Sequence, residues 1–357
     1  MVSVQQWTGR EAKALRSALR MSTRAFAEHL GVALRTVAKW EKHGADTHPR
    51  PDTQAILDTA LARADEASHA RFEEALHGRR SIPSVDHEAW AEDLDRAIVC
   101  LSHQRFAFAS ELLNRWLSRH DPRVLDDKDV YLYGRSLVLL GDLQRDQGAI
   151  FGPLSARQSY LRAHSLFLDL AIPRRTAQVE LSLAVVTEMA GQLEASARQY
   201  EQLATDERLS HRDRARARLW VGTALSKRGD NKYATQVMQS AIRDFEELGE
   251  PEDWSVAHQK LALAHRGVGD LGQALHYIDT ARSTGSVDSP MQRVRLDTAF
   301  SHILLSDPAT RDDGLTVLDN AACMASQHGL SHQFRSIEGI RRSYDDPRAL
   351  VSRRRQP

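Results

Sequence analysis

The feature that most restricts the fold is a repeat. Gly191, Gly229 and Gly269 each separate two helix-forming stretches, in MAGQLEASARQYEQLA, KRGDNKYATQVMQSAI and GVGDLGQALHYIDTAR, at spacings of 38 and 40 residues. Five residues after each glycine comes a small residue (Ser196, Ala234, Ala274) and nine after it a large one (Tyr200, Met238, Ile278). Twelve after it come Leu203, Ala241 and Ala281. These offsets share one helical face. Gly222 and Ala262 stand seven residues before Gly229 and Gly269, small again where a partner helix must come close. A chain with this pattern builds a row of like helix pairs, each burying its apolar face against the next.

Weaker units flank these three. Residues 89–119, with Ala109, Leu113 and Trp116 in the second helix, form a first one. Residues 128–171 form another, interrupted by the loop GAIFGPLS at 148–155. Residues 291–328 form a later one with Gly314, Leu318 and Ala321 in the corresponding places, and a last helix at about 330–344 caps the row. The tail RRRQP is expected to be solvated and disordered.

The pattern resembles the tetratricopeptide repeat (TPR), with units longer than the family's own period. The resemblance implies an α-solenoid of five to six units with a concave groove suited to peptides or extended segments. First-helix residues on the open face would line that groove: Arg175, Gln178, Glu180, Arg218, Lys227, His258, Lys260, Arg266 and Arg295.

The N-terminal head follows different rules. Thr8 caps a helix in which Glu11 completes a capping box, and Ala12, Leu15 and Leu19 recur at helical spacing. Ser22 caps a second helix with Phe26, Ala27 and Leu30 inward, and Gly31 ends it where positive φ is wanted. A third helix runs from about Ala33 to Lys42 with Val37 and Trp40 inward. After Pro49 and Pro51, Asp52 opens a fourth, its core face Ile56, Leu57, Ala60 and Leu61. Residues 1–64 hold ten cations against six anions, net +4, which leaves −4 for the rest of a chain that is neutral overall. A basic head on a mildly acidic body suits a head that meets phosphate.

Residues 8–64 resemble the helix-turn-helix of the XRE (Cro and phage-repressor-like) family. The carriers are Ala27, Leu30, Gly31 and Val32 at the turn, the Thr36-Val37 pair, and Trp40-Glu41-Lys42 closing the third helix. The resemblance implies a shielded ion pair between Arg16 and Glu41. It implies base reading in double-stranded DNA by Leu34, Arg35, Thr36 and Lys39, and phosphate contacts by Ser22, Thr23, Lys42 and Arg50. The chain departs from the family in having Thr23 where glutamine is common, and in a long 43–50 loop with two histidines.

Chemistry of other kinds is missing from the sequence. There is no Walker loop, GxSxG elbow, HExxH or dinucleotide fingerprint, so neither an enzyme nor a cofactor is expected. The two cysteines, Cys100 and Cys323, stand in unrelated contexts, and no metal site is expected. No run approaches the ~18 apolar residues of a membrane span, and the first residues lack an apolar signal core; a cytoplasmic location is expected.

The expected organisation is all-α. A helix-turn-helix domain (1–64) leads through a helical linker or hinge (65–87, looped at 78–83) to a TPR-like array (88–345) and a basic tail (346–357). The combination resembles bacterial peptide-responsive regulators, which implies a DNA-binding homodimer whose array senses a ligand, a peptide or a protein. The alternative is a TPR interaction scaffold for which DNA contact is secondary or absent.

Overall fold

The computed structural model describes residue 4 and residues 6–77, 85–284 and 289–345. The described residues form eighteen α-helices and no strand. They fall into two units, Met1–Val85 and Asp86–Pro357. The expected hinge loop at 78–83 and the basic tail from 346 lie outside the described residues.

The head consists of α1 (Gly9–Ala18), α2 (Thr23–Leu30), α3 (Leu34–His43), α4 (Pro51–Ala62) and α5 (Glu66–His77). Its helix ends form for local reasons. The Thr8 side chain accepts from the Arg10 amide while Glu11 returns to the Thr8 amide, and the Ser22 hydroxyl accepts from the Ala25 amide at 3.2 Å. Gly31 ends α2 at φ +66°. Trp7, Leu15, Phe26, Leu57 and Phe72 are fully buried at the centre. Gly9 permits the tightest approach: a Cβ there would lie 2.1 Å from the Trp40 carbonyl oxygen, so α1 crosses α3 backbone to backbone.

Two details differ from the sequence reading. Ile56 keeps 39% exposure while Leu57, Ala60 and Leu61 turn inward, so the buried stripe of α4 is narrower than its composition. The segment read as a helical linker is helical over Glu66–His77, and this α5 packs on α1 instead of standing apart from the head. There Phe72 lies 5.8 Å from the Trp7 ring, and Arg71 donates to the Ala18 carbonyl at 2.8 Å.

The body is a TPR-like α-solenoid of six helix pairs and a closing helix. The pairs are α6 (His87–Ser102) with α7 (Phe106–Leu117), α8 (Asp127–Asp146) with α9 (Ala156–Asp169), and α10 (Pro173–Met189) with α11 (Leu193–Ala204). They continue as α12 (His211–Arg228) with α13 (Asn231–Leu248), α14 (Pro251–Val268) with α15 (Leu271–Thr284), and α16 (Pro290–Leu304) with α17 (Arg311–Gln327). Helix α18 (Ser331–Asp345) follows. Gly229 and Gly269 end their helices at φ +101° and +91°, which explains why glycine recurs there. The small residues serve contact: a Cβ on Gly222 would lie 2.7 Å from Met238 Cγ.

The array closes on itself. Phe106 and Ala109 of the first pair share a core with Val294, Leu318, Leu330 and Ile337 from the last helices. The Gln104 side chain accepts from the Met291 amide at 3.0 Å, across 187 residues of sequence. Arg335 donates to the Gly148 carbonyl at 2.9 Å. First and last units therefore meet, and the first helices of successive pairs surround an interior.

Candidate DNA interface and ligand channel

In the head, α3 buries Val37 and Trp40 and presents the opposite face to solvent. Leu34, Arg35 and Lys39 are exposed there, with Leu34 at 48%, and Thr36 is half-buried beside them. Lys42 continues the face, Ser22 and Thr23 open α2, and Arg50 stands exposed before α4. Among the described residues no carboxylate pairs with Arg35, Lys39, Lys42 or Arg50, so the face carries free positive charge. Behind it, Arg16 Nε donates to Glu41 Oε1 at 2.5 Å, and Arg16 Nη1 to the Met21 carbonyl at 2.7 Å. The pair ties α1 to α3 and fixes the azimuth of the exposed face.

In the body, charged side chains from six helices converge on the interior. On α8, Arg145 lies 2.9 Å from Asp142 and 3.3 Å from Asp146, and the buried Tyr160 hydroxyl donates to Asp142 at 2.7 Å. On α10, buried Glu188 accepts from Tyr200 at 2.8 Å and from Lys227 of α12 at 2.7 Å. Lys260 of α14 places its ammonium 5.7 Å from the centre of the Trp220 ring. Burial, with repulsion from Arg295 and Lys227 and only Glu188 opposing, pushes Lys260 down to about 7. Arg295 of α16 is likewise lowered by burial. His332 of α18 is lowered by burial and by Lys227, Arg335 and Arg295, which puts α18 within electrostatic reach of α12 and α16. Lys227, Lys260 and Arg295 keep part of their surface in water, so these groups stand on a partly hydrated inner face, the channel, and not in a dry core.

Of the expected groove residues the structure brings together Lys227, Lys260 and Arg295. The others are engaged elsewhere. Arg175 donates to the Tyr131 hydroxyl at 2.9 Å and to Gln178 at 3.0 Å, and Gln178 donates to Asp213 at 3.1 Å. Glu180 accepts from Arg208 at 2.6 Å, Arg218 pairs with Asp244, and Arg266 reaches Ser306 at 3.4 Å. His258 is buried, its ring 3.8 Å from that of Trp254 and its Nδ1 against the Trp254 carbonyl at 2.9 Å; it is a packing residue. Sequence reasoning missed Arg145, Asp146, Glu188 and His332. One signal was available: Arg145, Glu188 and Arg266 each stand three residues before a turn glycine (148, 191, 269).

His87, Asp126 and Asp129 bring three ligand-type atoms within 4.8 Å of one another. Local structure already accounts for them. Asp126 caps α8 by accepting from the Asp129 amide at 2.9 Å, and Asp129 bonds His87 at 2.6 Å.

No family model matches the chain, and no curated protein does. Solved structures match by shape. A Rap protein complexed with Competence and Sporulation Factor aligns over 96% of this chain and 85% of its own, at 16% identity and TM-score 0.52. That likeness shows a shared helical-repeat fold. PlcR of Bacillus thuringiensis, in complex with the peptide PapR7 and DNA, covers 77% of this chain and 95% of its own, at 13% identity and TM-score 0.38. A tetratricopeptide repeat protein from Parabacteroides merdae covers 72% and 100% at 13% identity and TM-score 0.36. Among the described residues, no helix is long and apolar enough to cross a membrane.

Proposed function

We propose that this chain is a DNA-binding transcription regulator whose TPR-like body senses an extended peptide. The observation that carries the DNA half is the exposed face of α3, where, among the described residues, Arg35 and Lys39 have no carboxylate partner and stand with Leu34 on a braced helix. Arg35 has the fork to take guanine O6 and N7, Leu34 the apolar surface for a thymine methyl, Thr36 and Lys39 stand beside them to reach base edges, and Lys42 has the charge to meet phosphate. Ser22, Thr23 and Arg50 are the remaining phosphate contacts. As a homodimer it would set two such helices on an inverted repeat with half-sites ~34 Å apart. The linker 65–87 would transmit the ligand signal, its α5 moving with the head to which Phe72 and Arg71 tie it.

The charged channel supports the sensing half, as does the factor-bound state of the Rap protein of similar fold. A ligand acts on DNA binding only through unequal affinity for two arrangements of the array. The scaffold reading draws on the same channel and dispenses with the head. Selection of duplexes from a random pool by the full chain separates the two. A regulator enriches a shared sequence and loses it in Arg35→Ala/Lys39→Ala; a scaffold enriches none.

A further inference from the structure

The channel wall holds more positive charge than its own carboxylates answer. Arg145 has Asp142 and Asp146, and Lys227 has Glu188. Lys260 and Arg295 have no carboxylate partner among the described residues. Lys260 faces the π surface of Trp220. The acid nearest in effect to Arg295 is Asp146, which Arg145 already holds. Gln259, next to Lys260 on α14, donates to the Arg295 carbonyl at 2.7 Å, so the two cations stand on adjoining helices; they repel one another, and Lys227 adds to the repulsion on Lys260. A fold under pressure for stability alone has no use for two adjacent unanswered cations in a partly dehydrated interior, where an apolar side chain would cost less.

We propose that Lys260 and Arg295 are the anion-recognition point of the channel and take a carboxylate of the bound peptide. This rests on the peptide-sensing reading above. The Arg295 guanidinium offers paired donors that match a carboxylate in plane, and Lys260 supplies a compact second charge. Trp220 provides an apolar flank for the residue that bears the acid. Three carboxylates in the same wall, Asp142, Asp146 and Glu188, favour a singly charged ligand over a phosphate dianion. The carboxylate is either an Asp or Glu side chain or the C-terminus of the peptide, and the test tells them apart.

The full chain is equilibrated with pools of synthetic heptapeptides, each fixed at one position as Glu, Gln or Lys, with a free carboxyl or an amide at the C-terminus. Retained peptide is measured by mass spectrometry. The proposal expects acid pools to be retained about tenfold over their neutral counterparts, with the preference falling to within about twofold in Lys260→Met/Arg295→Gln. Preference at one Glu position identifies a side-chain acid, and preference for the free terminus identifies the chain end. Equal retention of acidic and neutral pools, or a preference that survives the double change, overturns the assignment and leaves the peptide reading standing. Retention of no pool overturns the peptide reading and this assignment with it. A second measurement needs no ligand. Each single change removes an unanswered cation, so Tm holds or rises, whereas a fall of more than about 5 °C makes the cations structural and refutes the site.

Discussion

The Arg16–Glu41 pair sets the orientation of the DNA-facing helix, and its worth follows from its surroundings. Each side chain keeps 19% exposure, and the Nε–Oε1 distance is 2.5 Å. An exposed pair contributes ~0–1 kcal/mol, whereas stranding one partner of a fully buried pair costs ~3–5 kcal/mol. With about a fifth of each side chain in water the effect lies between. Glu41→Ala leaves Arg16 its bond to the Met21 carbonyl, so the expected loss is about 2 kcal/mol. Arg16→Ala removes both bonds and strands Glu41, for about 3 kcal/mol. The double change then costs about 3 kcal/mol and not the sum, because the second removal strands nothing. Hydrogen exchange on the full chain reads this locally. Amides of α1 and α3 should exchange about thirtyfold faster in Glu41→Ala, as about 2 kcal/mol requires. Single changes worth less than about 0.5 kcal/mol, or a double change equal to the sum, would refute a shielded, mutually dependent pair.

Three further outcomes follow. Gly141→Ala puts a Cβ 2.5 Å from Cε1 of Tyr160, a buried ring whose hydroxyl is tied to Asp142, so thermal unfolding should show about 2–3 kcal/mol of destabilisation. Gly229→Ala, at φ +101° with open space around it, strains only the backbone and should cost about 1 kcal/mol by urea unfolding. Lys260, faced by Arg295, Lys227 and Glu188, titrates near 7 when folded and near 10.4 when unfolded. Between those values the unfolded chain binds the extra proton, so stability rises with pH from about 7 to about 10 and is lowest below 7. The difference in unfolding free energy between wild type and Lys260→Met, followed from pH 6 to about 10, should show that slope; a flat difference would contradict it.

Much of the fold was legible because its causes are local. Thr8, Glu11, Ser22 and Gly31 declare helix ends through groups within four residues of them, and the 38- and 40-residue glycine spacing declares the repeat. The misplaced details have distant causes. Helix α5 joins the head because Phe72 meets Trp7, sixty-five positions away, and no periodicity carries that contact. Closure of the array rests on Gln104 reaching the Met291 amide and Arg335 the Gly148 carbonyl, each across 187 residues. The channel was half legible. Lys227, Lys260 and Arg295 read as exposed first-helix cations, which many solvated residues also resemble, while Glu188 and Arg145 look like ordinary last-turn charges until their partners are known. His258 carries the same polar label as Lys260, yet Trp254 and Tyr277 bury it.

The central claim is that α3 reads DNA, and affinity for a pool-selected duplex, measured against salt, tests it most directly. The selected duplex should outcompete random DNA, and affinity should fall as salt rises. Lys42→Ala and Arg50→Ala should each flatten the salt slope by roughly one unit, and Arg35→Ala and Lys39→Ala should each relax preference at one base pair by ~1–3 kcal/mol. Equal affinity for selected and random duplexes, or selectivity untouched by loss of Arg35 and Lys39, would contradict it.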